Sequence, residues 1–149
     1  MLSEQFETPR LRLRVPVPGD APTIFNAYAQ DPAVCRFMVW SLHVSVAVTE
    51  AFIAESIELW SAGTPLRYVL ARSRWGSGLM PEAIGVLASA CFAQPQVFRV
   101  QAICDVENRA SARALEKSGF RREGRLARYG IHPNISPEPR DVFMYARVR

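Results

Sequence analysis

Two glycines one residue apart, Gly76-Ser77-Gly78, sit between an apolar run and an amphipathic pattern, and this junction limits the folds open to the chain. Upstream, Leu66 to Ala71 reads as a strand. Downstream, Met80, Ala83, Ile84, Leu87 and Cys91 follow i, i+3, i+4 spacing, with Pro81 tolerated in the first helical turn. A strand that enters a helix through Gly-x-Gly lets backbone N–H groups converge without obstruction by Cβ atoms. The helix adds its own unpaired N–H groups and the positive end of its dipole, so the junction favours an anion such as a diphosphate. Read alone, the triplet points first to a tight strand-to-helix turn. It is not a Walker A loop, because no GK[ST] follows, and it lacks the third glycine of a dinucleotide fingerprint.

The elements around the junction alternate. Leu11, Leu13 and Val15 interleave with Arg10, Arg12 and Arg14 as in a half-buried strand. After Pro16-Val17-Pro18-Gly19, Asp20 is a suitable N-cap for a helix with Pro22 in its first turn, carried by Ile24, Ala27 and Tyr28 to about Gln30. Phe37 to Val46 is apolar but irregular. From Thr49, the residues Phe52, Ile53, Ile57 and Trp60 share a helical face that ends at Gly63. Val97 to Cys104 reads as a strand, and Asn108 caps a short helix that ends at Gly119. Leu126 to Ile131 and Val142 to Val148 read as a closing pair of strands, separated by a proline-rich loop over His132–Pro139. The order β-α-α-β-α-β-α-β-β predicts an α/β or α+β sheet covered by helices.

The whole chain, 1–149, reads as one domain: 149 residues and 16.7 kDa bury a self-sufficient core but leave little room for two. With 49% apolar and 21% charged residues the balance is that of a globular protein. The uncharged stretch Phe37–Thr49 has 13 residues, short of the roughly 18 a bilayer requires, so no membrane association is expected. The N-terminus has no basic region and no apolar run, so a signal peptide is not expected either. Cys35, Cys91 and Cys104 form no CxxC pair and cannot all pair within one chain, which suits reduced, buried thiols and a cytoplasmic location. His43 and His132 lie far apart without HExxH spacing, so no metal is expected. The net charge of +4 comes mostly from arginine, dense at Arg10–Arg14 and Arg121–Arg128. That suits a phosphate-bearing partner, but no RNP-type aromatic motif or recognition helix accompanies it, so nucleic acid is not the expected partner.

Some 30 residues after the glycines comes Asp105-Val106-Glu107, then Asn108-Arg109-Ala110-Ser111-Ala112-Arg113-Ala114-Leu115-Glu116-Lys117-Ser118-Gly119-Phe120. Together with Arg74-Trp75-Gly76-Ser77-Gly78-Leu79 this block resembles the GNAT superfamily of acyl-CoA-dependent N-acyltransferases. The first segment is similar to the family's [QR]xxGx[GA] diphosphate turn and the second to its N-x-x-[SA]…EK-x-GF helix. Glu82-Ala83, Gly119-Phe120-x-x-Glu123-Gly124, Asp141-Val142-x-x-Tyr145-Ala146 and the opening Thr8-Pro9-Arg10-Leu11-x-Leu13-Arg14 resemble the subgroup of ribosomal-protein-alanine N-acetyltransferases.

The resemblance implies a mixed, mainly antiparallel, twisted sheet flanked by helices. It also implies acetyl-CoA as co-substrate and a primary amine, such as a protein N-terminus, as acceptor, with direct attack and no covalent enzyme intermediate. Backbone groups of Arg74, Trp75, Gly76, Ser77, Gly78 and Leu79 would then hold the diphosphate. An N–H near Val69, Leu70 or Ala71 would meet the oxyanion. Asn108 would hydrogen-bond the pantetheine arm, and Lys117 falls in the same coenzyme-side motif. Asn108 read alone is equally a helix cap, and Ser111 equally an exposed helix serine. Many GNAT members carry a tyrosine as the thiolate's proton donor where this chain has Leu115, so Ser111 becomes the substitute. No carboxylate stands out as general base. His132, on the loop where acceptor would enter, is the candidate base, and histidine is the side chain that titrates near neutrality. Trp40 and His43 could also shape the acceptor site, although Trp40 reads more simply as core.

The chain departs from the family pattern between Gly63 and Tyr68, where relatives carry a strand hairpin. Two central strands are missing, and removing an antiparallel pair would still let the first strand close onto Leu66–Ala71. A shortened sheet leaves the core thinner, a gap that a second copy of the chain could cover as a homodimer. Coenzyme-binding features are therefore expected to survive better than turnover, and the alternative is a non-catalytic CoA-binding or interaction domain.

Overall fold

Leu13, buried in the middle of Arg12–Arg14, pairs with Phe6 and anchors the first of two separate sheets. In a computed structural model that describes residues 3–62 and 69–149, β1 (Gln5–Glu7) and β2 (Arg12–Arg14) form an antiparallel ribbon. The helix expected from Asp20 begins at Ala21 as α1 (Ala21–Ile24) and widens into a π-helical turn over Phe25–Ala29. Asp20 does not cap it with its side chain. The carboxylate instead accepts two hydrogen bonds from Arg14, at 2.7 and 2.8 Å, and one from the Val17 amide. A short α2 (Pro32–Cys35), capped by Asp31, precedes the irregular stretch. The long α3 (Val46–Ser61) is capped by Ser45.

The second sheet is built from the C-terminal half. α4 (Leu79–Phe92) leads to β3 (Arg99–Asp105), then α5 (Arg109–Lys117), β4 (Arg121–His132) and β5 (Ser136–Val148). The strand order is β3-β5-β4, antiparallel throughout, with Asp105 opposite Val142 and His132 opposite Ser136. Val100, Ala102 and Cys104 turn toward the helices, where Ala88, Leu115, Phe120 and Tyr145 complete a core shared by α4, α5 and the sheet. Tyr145 is 1% exposed and its hydroxyl donates to Glu116 at 3.0 Å, so the closing strand is tied to α5 by a satisfied buried phenol.

Three expectations change. The proline-rich segment His132–Pro139 is not a loop: only a tight turn separates β4 from β5, with the Ile135 amide bonded to the His132 carbonyl. Before Val142, β5 pairs with β4 alone, so Pro137 and Pro139 need not remove a donor from a ladder. The irregular stretch finds its order from afar. Asn134, in that tight turn, donates to the carbonyls of Cys35 and Trp40 (2.7 and 2.8 Å) and accepts from the Leu42 amide (3.1 Å), satisfying main chain that no local element pairs.

The third change concerns the strand before the glycines. Leu66, Arg67 and Tyr68 lie outside the described residues, and Val69, Leu70 and Ala71 are not strand. β2 does not pair with Val69–Ala71; its ladder is with β1. Three extended residues gain little without a neighbour whose N–H and C=O groups match theirs, and the shortened chain supplies none there among the described residues. What remains between β2, α3 and α4 is a cavity of about 380 Å³, lined by Leu13, Ile24, Phe52, Leu70, Leu79 and Met80 among others.

Candidate active site

Gly76 and Gly78 both adopt left-handed backbone, with φ of 75° and 77°. A Cβ at Gly76 would meet nothing within 4 Å, so glycine is needed there for conformation and not for space. The two left-handed residues turn the chain from a 3-10 turn at Arg72–Arg74 into α4, with Gly78 as N-cap. Residues 72–78 are all exposed. Among the described residues, the amides of Gly76, Ser77, Gly78, Leu79 and Met80 donate to no protein acceptor. The amides of Arg74 and Trp75 are already engaged, donating to the carbonyls of Ala71 (2.9 Å) and Arg72 (3.1 Å). Of the sequence-derived turn, then, its second half presents free donors and its first half braces it. Trp75 adds a brace by donating Nε1–H to the Leu70 carbonyl at 3.0 Å, and Ser77 donates its hydroxyl to Arg74 at 2.6 Å. Arg72 and Arg74 enter no ion pair among the described residues, and both lie exposed. Free amides, the start of a 14-residue helix and unpaired guanidinium groups make this an anion-binding surface.

The far end of α5 carries the second group. Ser118 Oγ donates to the Pro81 carbonyl at 3.2 Å, which sets the C-terminal end of α5 against the start of α4. Lys117 is exposed in that last turn of α5. Asn108 lies at the other end, about 14 Å away for nine helical residues at 1.5 Å each. Its Oδ1 accepts from the Ser111 amide at 3.1 Å, so the cap is real, and its carboxamide N–H groups are free of protein acceptors among the described residues. Ser111 is half-buried with its hydroxyl beside the Cys104 thiol, whose ionisation burial suppresses. Leu115 is 4% exposed within the core and presents nothing to a ligand.

The third group was only partly legible. Asp105, Arg140 and His132 come from three adjacent strands and share one face at one end of the sheet. Asp105 is opposite Val142, so Arg140 is its diagonal neighbour, within reach of a long side chain. Arg140 donates Nε–H to Asp105 Oδ2 at 2.7 Å and Nη2–H to Oδ1 at 3.2 Å, and reaches Glu107 at 3.1 Å. His132 Nε2 stands 3.6 Å from Asp105 Oδ2, with Gly130 beside it leaving room. Among the described residues, both buried ring nitrogens of His132 have no hydrogen-bond partner. The edge of Phe37 closes over the ring at 6.3 Å between centroids. Burial would push the Asp105 pKa up, but the Arg140 guanidinium and the Glu107 amide outweigh it and hold the carboxyl below its ordinary value. The Asn108 amide donates to the Asp105 carbonyl at 2.9 Å, so the start of α5 follows directly from the strand end that carries the carboxylate beside His132. Sequence reasoning missed Asp105 and Arg140 as members of this site; a carboxylate ending an apolar strand was the available signal.

His43 does not join them. It is buried, bonded through Nδ1 to Thr49 Oγ1 at 2.8 Å, and packed between a tilted Trp40 and an edge-on Phe52, and burial lowers its pKa. Trp40 and His43 are core. The arginines of 121–128 are exposed, and three of them are engaged by neighbours: Arg122 lies over Phe143, Arg125 pairs with Asp141, and Arg128 with Glu138.

A family model described as an acetyltransferase (GNAT) domain matches residues 56–121, which span α3's end, the glycine turn, α4, β3 and α5. Over residues 56–121 the chain is therefore similar to a GNAT acetyltransferase domain. Solved structures share its fold from end to end. The microcin C7 self-immunity acetyltransferase, in complex with acetyl-CoA and AMP, has a TM-score of 0.81 at 18% identity, covering 95% of this chain and 94% of that one. The ribosomal L7/L12 alpha-N-protein acetyltransferase in complex with coenzyme A has a TM-score of 0.80 at 20% identity, covering 97% and 98%. The ribosomal-protein-S5-alanine acetyltransferase from Vibrio fischeri has a TM-score of 0.75 at 17% identity, covering 97% and 96%. No curated protein matches the chain. The GNAT fold thus persists here although Val69–Ala71 form no strand. Among the described residues no helix is long and apolar enough to cross a membrane, and no cluster of three His, Cys, Asp or Glu side chains could hold a metal ion.

Proposed function

We propose that the chain transfers an acetyl group from acetyl-CoA to a primary amine, such as a protein N-terminal amine, by direct attack. The observation that carries this reading is the run of amides from Gly76 to Met80 at the start of α4, exposed over Gly76–Gly78 and unbonded among the described residues, a surface that fits a diphosphate. Bound there, acetyl-CoA supplies an activated thioester.

The chain's residues then have separate tasks. Gly76, Ser77, Gly78 and Leu79 hold the diphosphate through main-chain donors. Asn108 offers its free carboxamide N–H groups to the arm that runs along α5 toward Asp105. His132, with ring nitrogens that have no partner among the described residues, takes the proton of the attacking amine. An N–C bond forms and the C–S bond breaks. The departing thiolate recovers a proton, for which Ser111 is the nearest hydroxyl on the coenzyme-side helix. The oxyanion donor is sought among the amides of Val69, Leu70 and Ala71.

Isothermal titration with acetyl-CoA and with CoA is the first test, followed by mass spectrometry of amine-bearing peptides incubated with acetyl-CoA. Saturable binding and an acetylated product are expected. Absence of binding to both nucleotides would remove the reading, and binding without acetylation of any amine would reduce the chain to a coenzyme-binding domain.

A further inference from the structure

The glycine turn does not hold its shape alone. Arg10, 67 residues earlier in the chain, donates Nη1–H to the Ser77 carbonyl at 2.8 Å. The same guanidinium donates Nε–H to Glu82 Oε2 at 2.7 Å, with Nη2 at 2.5 Å from that oxygen. Glu82 is fixed from the other side. Thr8 donates its hydroxyl to Oε1 at 2.5 Å, and the Arg10 amide donates to the same oxygen at 3.3 Å. The Thr8 hydroxyl, then Arg10, hold the Glu82 carboxyl below its usual range against its partial burial.

In a trans peptide the C=O and the following N–H point in opposite directions. Drawing the Ser77 carbonyl toward Arg10 therefore turns the Gly78 N–H away from Arg10, into the row of free amides. We infer that Arg10 is a positioning residue for the coenzyme: clamped by Thr8 and Glu82, it sets the Ser77–Gly78 peptide so that the turn's donors face a diphosphate. The inference rests on the acetyl-CoA reading above. It also accounts for a charge that would otherwise be out of place. Glu82 sits in the first turn of α4, where a bare carboxylate would repel the anion the turn is built for, and Arg10 neutralises it. Arginine is required because one guanidinium must bridge a carbonyl and a carboxylate in fixed directions, which the single ammonium of lysine does not reproduce.

The test measures CoA binding by titration calorimetry and steady-state kinetics for the wild type, Arg10→Ala, Arg10→Lys, Glu82→Gln and the double variant. Wild-type binding of CoA first establishes the underlying reading; if the wild type does not bind, that reading fails and not the clamp. Given binding, Arg10→Ala is expected to raise the Kd for CoA and the KM for acetyl-CoA about 10-fold, with the KM for the amine unchanged. Arg10→Lys should recover less than half of the loss. Glu82→Gln should weaken binding about 3-fold in the wild type, yet added to Arg10→Ala it should recover part of the loss, since it removes the carboxylate that Arg10 no longer neutralises. Unchanged Kd in Arg10→Ala, full rescue by lysine, or a loss shared equally between acetyl-CoA and amine KM values would each overturn the clamp.

Discussion

His132 Nε2 and Asp105 Oδ2 approach to 3.6 Å on one face of the three-stranded sheet, yet no hydrogen bond joins them, because Arg140 and the Glu107 amide already occupy the carboxylate. The imidazole is thus held beside a fixed negative charge while keeping both nitrogens free. A ring nitrogen without a partner is what a proton acceptor requires. His132→Ala is expected to lower kcat about 100-fold, with the KM for acetyl-CoA unaffected, since nothing on the diphosphate side touches this ring. A kcat within twofold of wild type would take His132 out of the chemistry.

The Asp105–Arg140 pair predicts how the protein responds to acid. Asp105 has a side chain wholly out of solvent and a pKa below its unfolded value, so its ionised form stabilises the folded chain above the ordinary carboxylate range. That contribution is lost as the pH falls through the folded pKa, below about pH 4. Arg140→Met should destabilise the protein by about 3 kcal/mol at pH 7, because it leaves a buried carboxylate without its cation. The urea midpoint of the variant should also fall less on acidification than that of the wild type. Equal acid sensitivity in the two proteins would show that Asp105 is not the group responsible.

These relationships show where the sequence was readable. Periodicity located α3, α4, β3 and α5, because each buries one face against a neighbour and the pattern of apolar residues records that face. The asparagine at 108 and the two glycines were legible for the same reason: a helix cap and a left-handed turn are local demands on local residues. What was not legible depends on contacts between distant parts of the chain. Asn134 orders residues 35–42 from more than 90 positions away, and no local signal announces it. Asp105, Arg140 and His132 meet only because the register of three strands aligns them. The prolines at 137 and 139 argued for a loop, and they are tolerated because β5 has a partner on one side only there. Val69–Ala71 carry the composition of a strand, but composition cannot supply the neighbour a strand requires.

The glycine turn separates two effects that sequence alone conflates. At Gly76 there is space for a side chain but a φ of 75° that L-residues adopt at a cost. Gly76→Ala should therefore lose about 1 kcal/mol of turn stability and weaken CoA binding only a few fold. Gly76→Glu adds a negative charge among the free amides and should abolish measurable binding. If the two substitutions weaken CoA equally, the turn's conformation matters and its role as an anion site does not hold.

The cavity between β2, α3 and α4 makes a final prediction. A cavity of about 380 Å³ opens where Val69 and Leu70, not in a strand, pass Leu13 and α4. Ala83, 6% exposed, borders it from α4, one residue after the Glu82 that Arg10 holds. In a close-packed interior an added isobutyl group at such a position would cost about 1–3 kcal/mol by overpacking. Facing an apolar space with room for it, the same group should instead contribute about 1 kcal/mol by burying hydrocarbon. Ala83→Leu is accordingly expected to raise the urea midpoint without changing the denaturant slope. A lower midpoint would mean that α4 and β2 close together in solution, and that the shortened sheet heals without the missing strands.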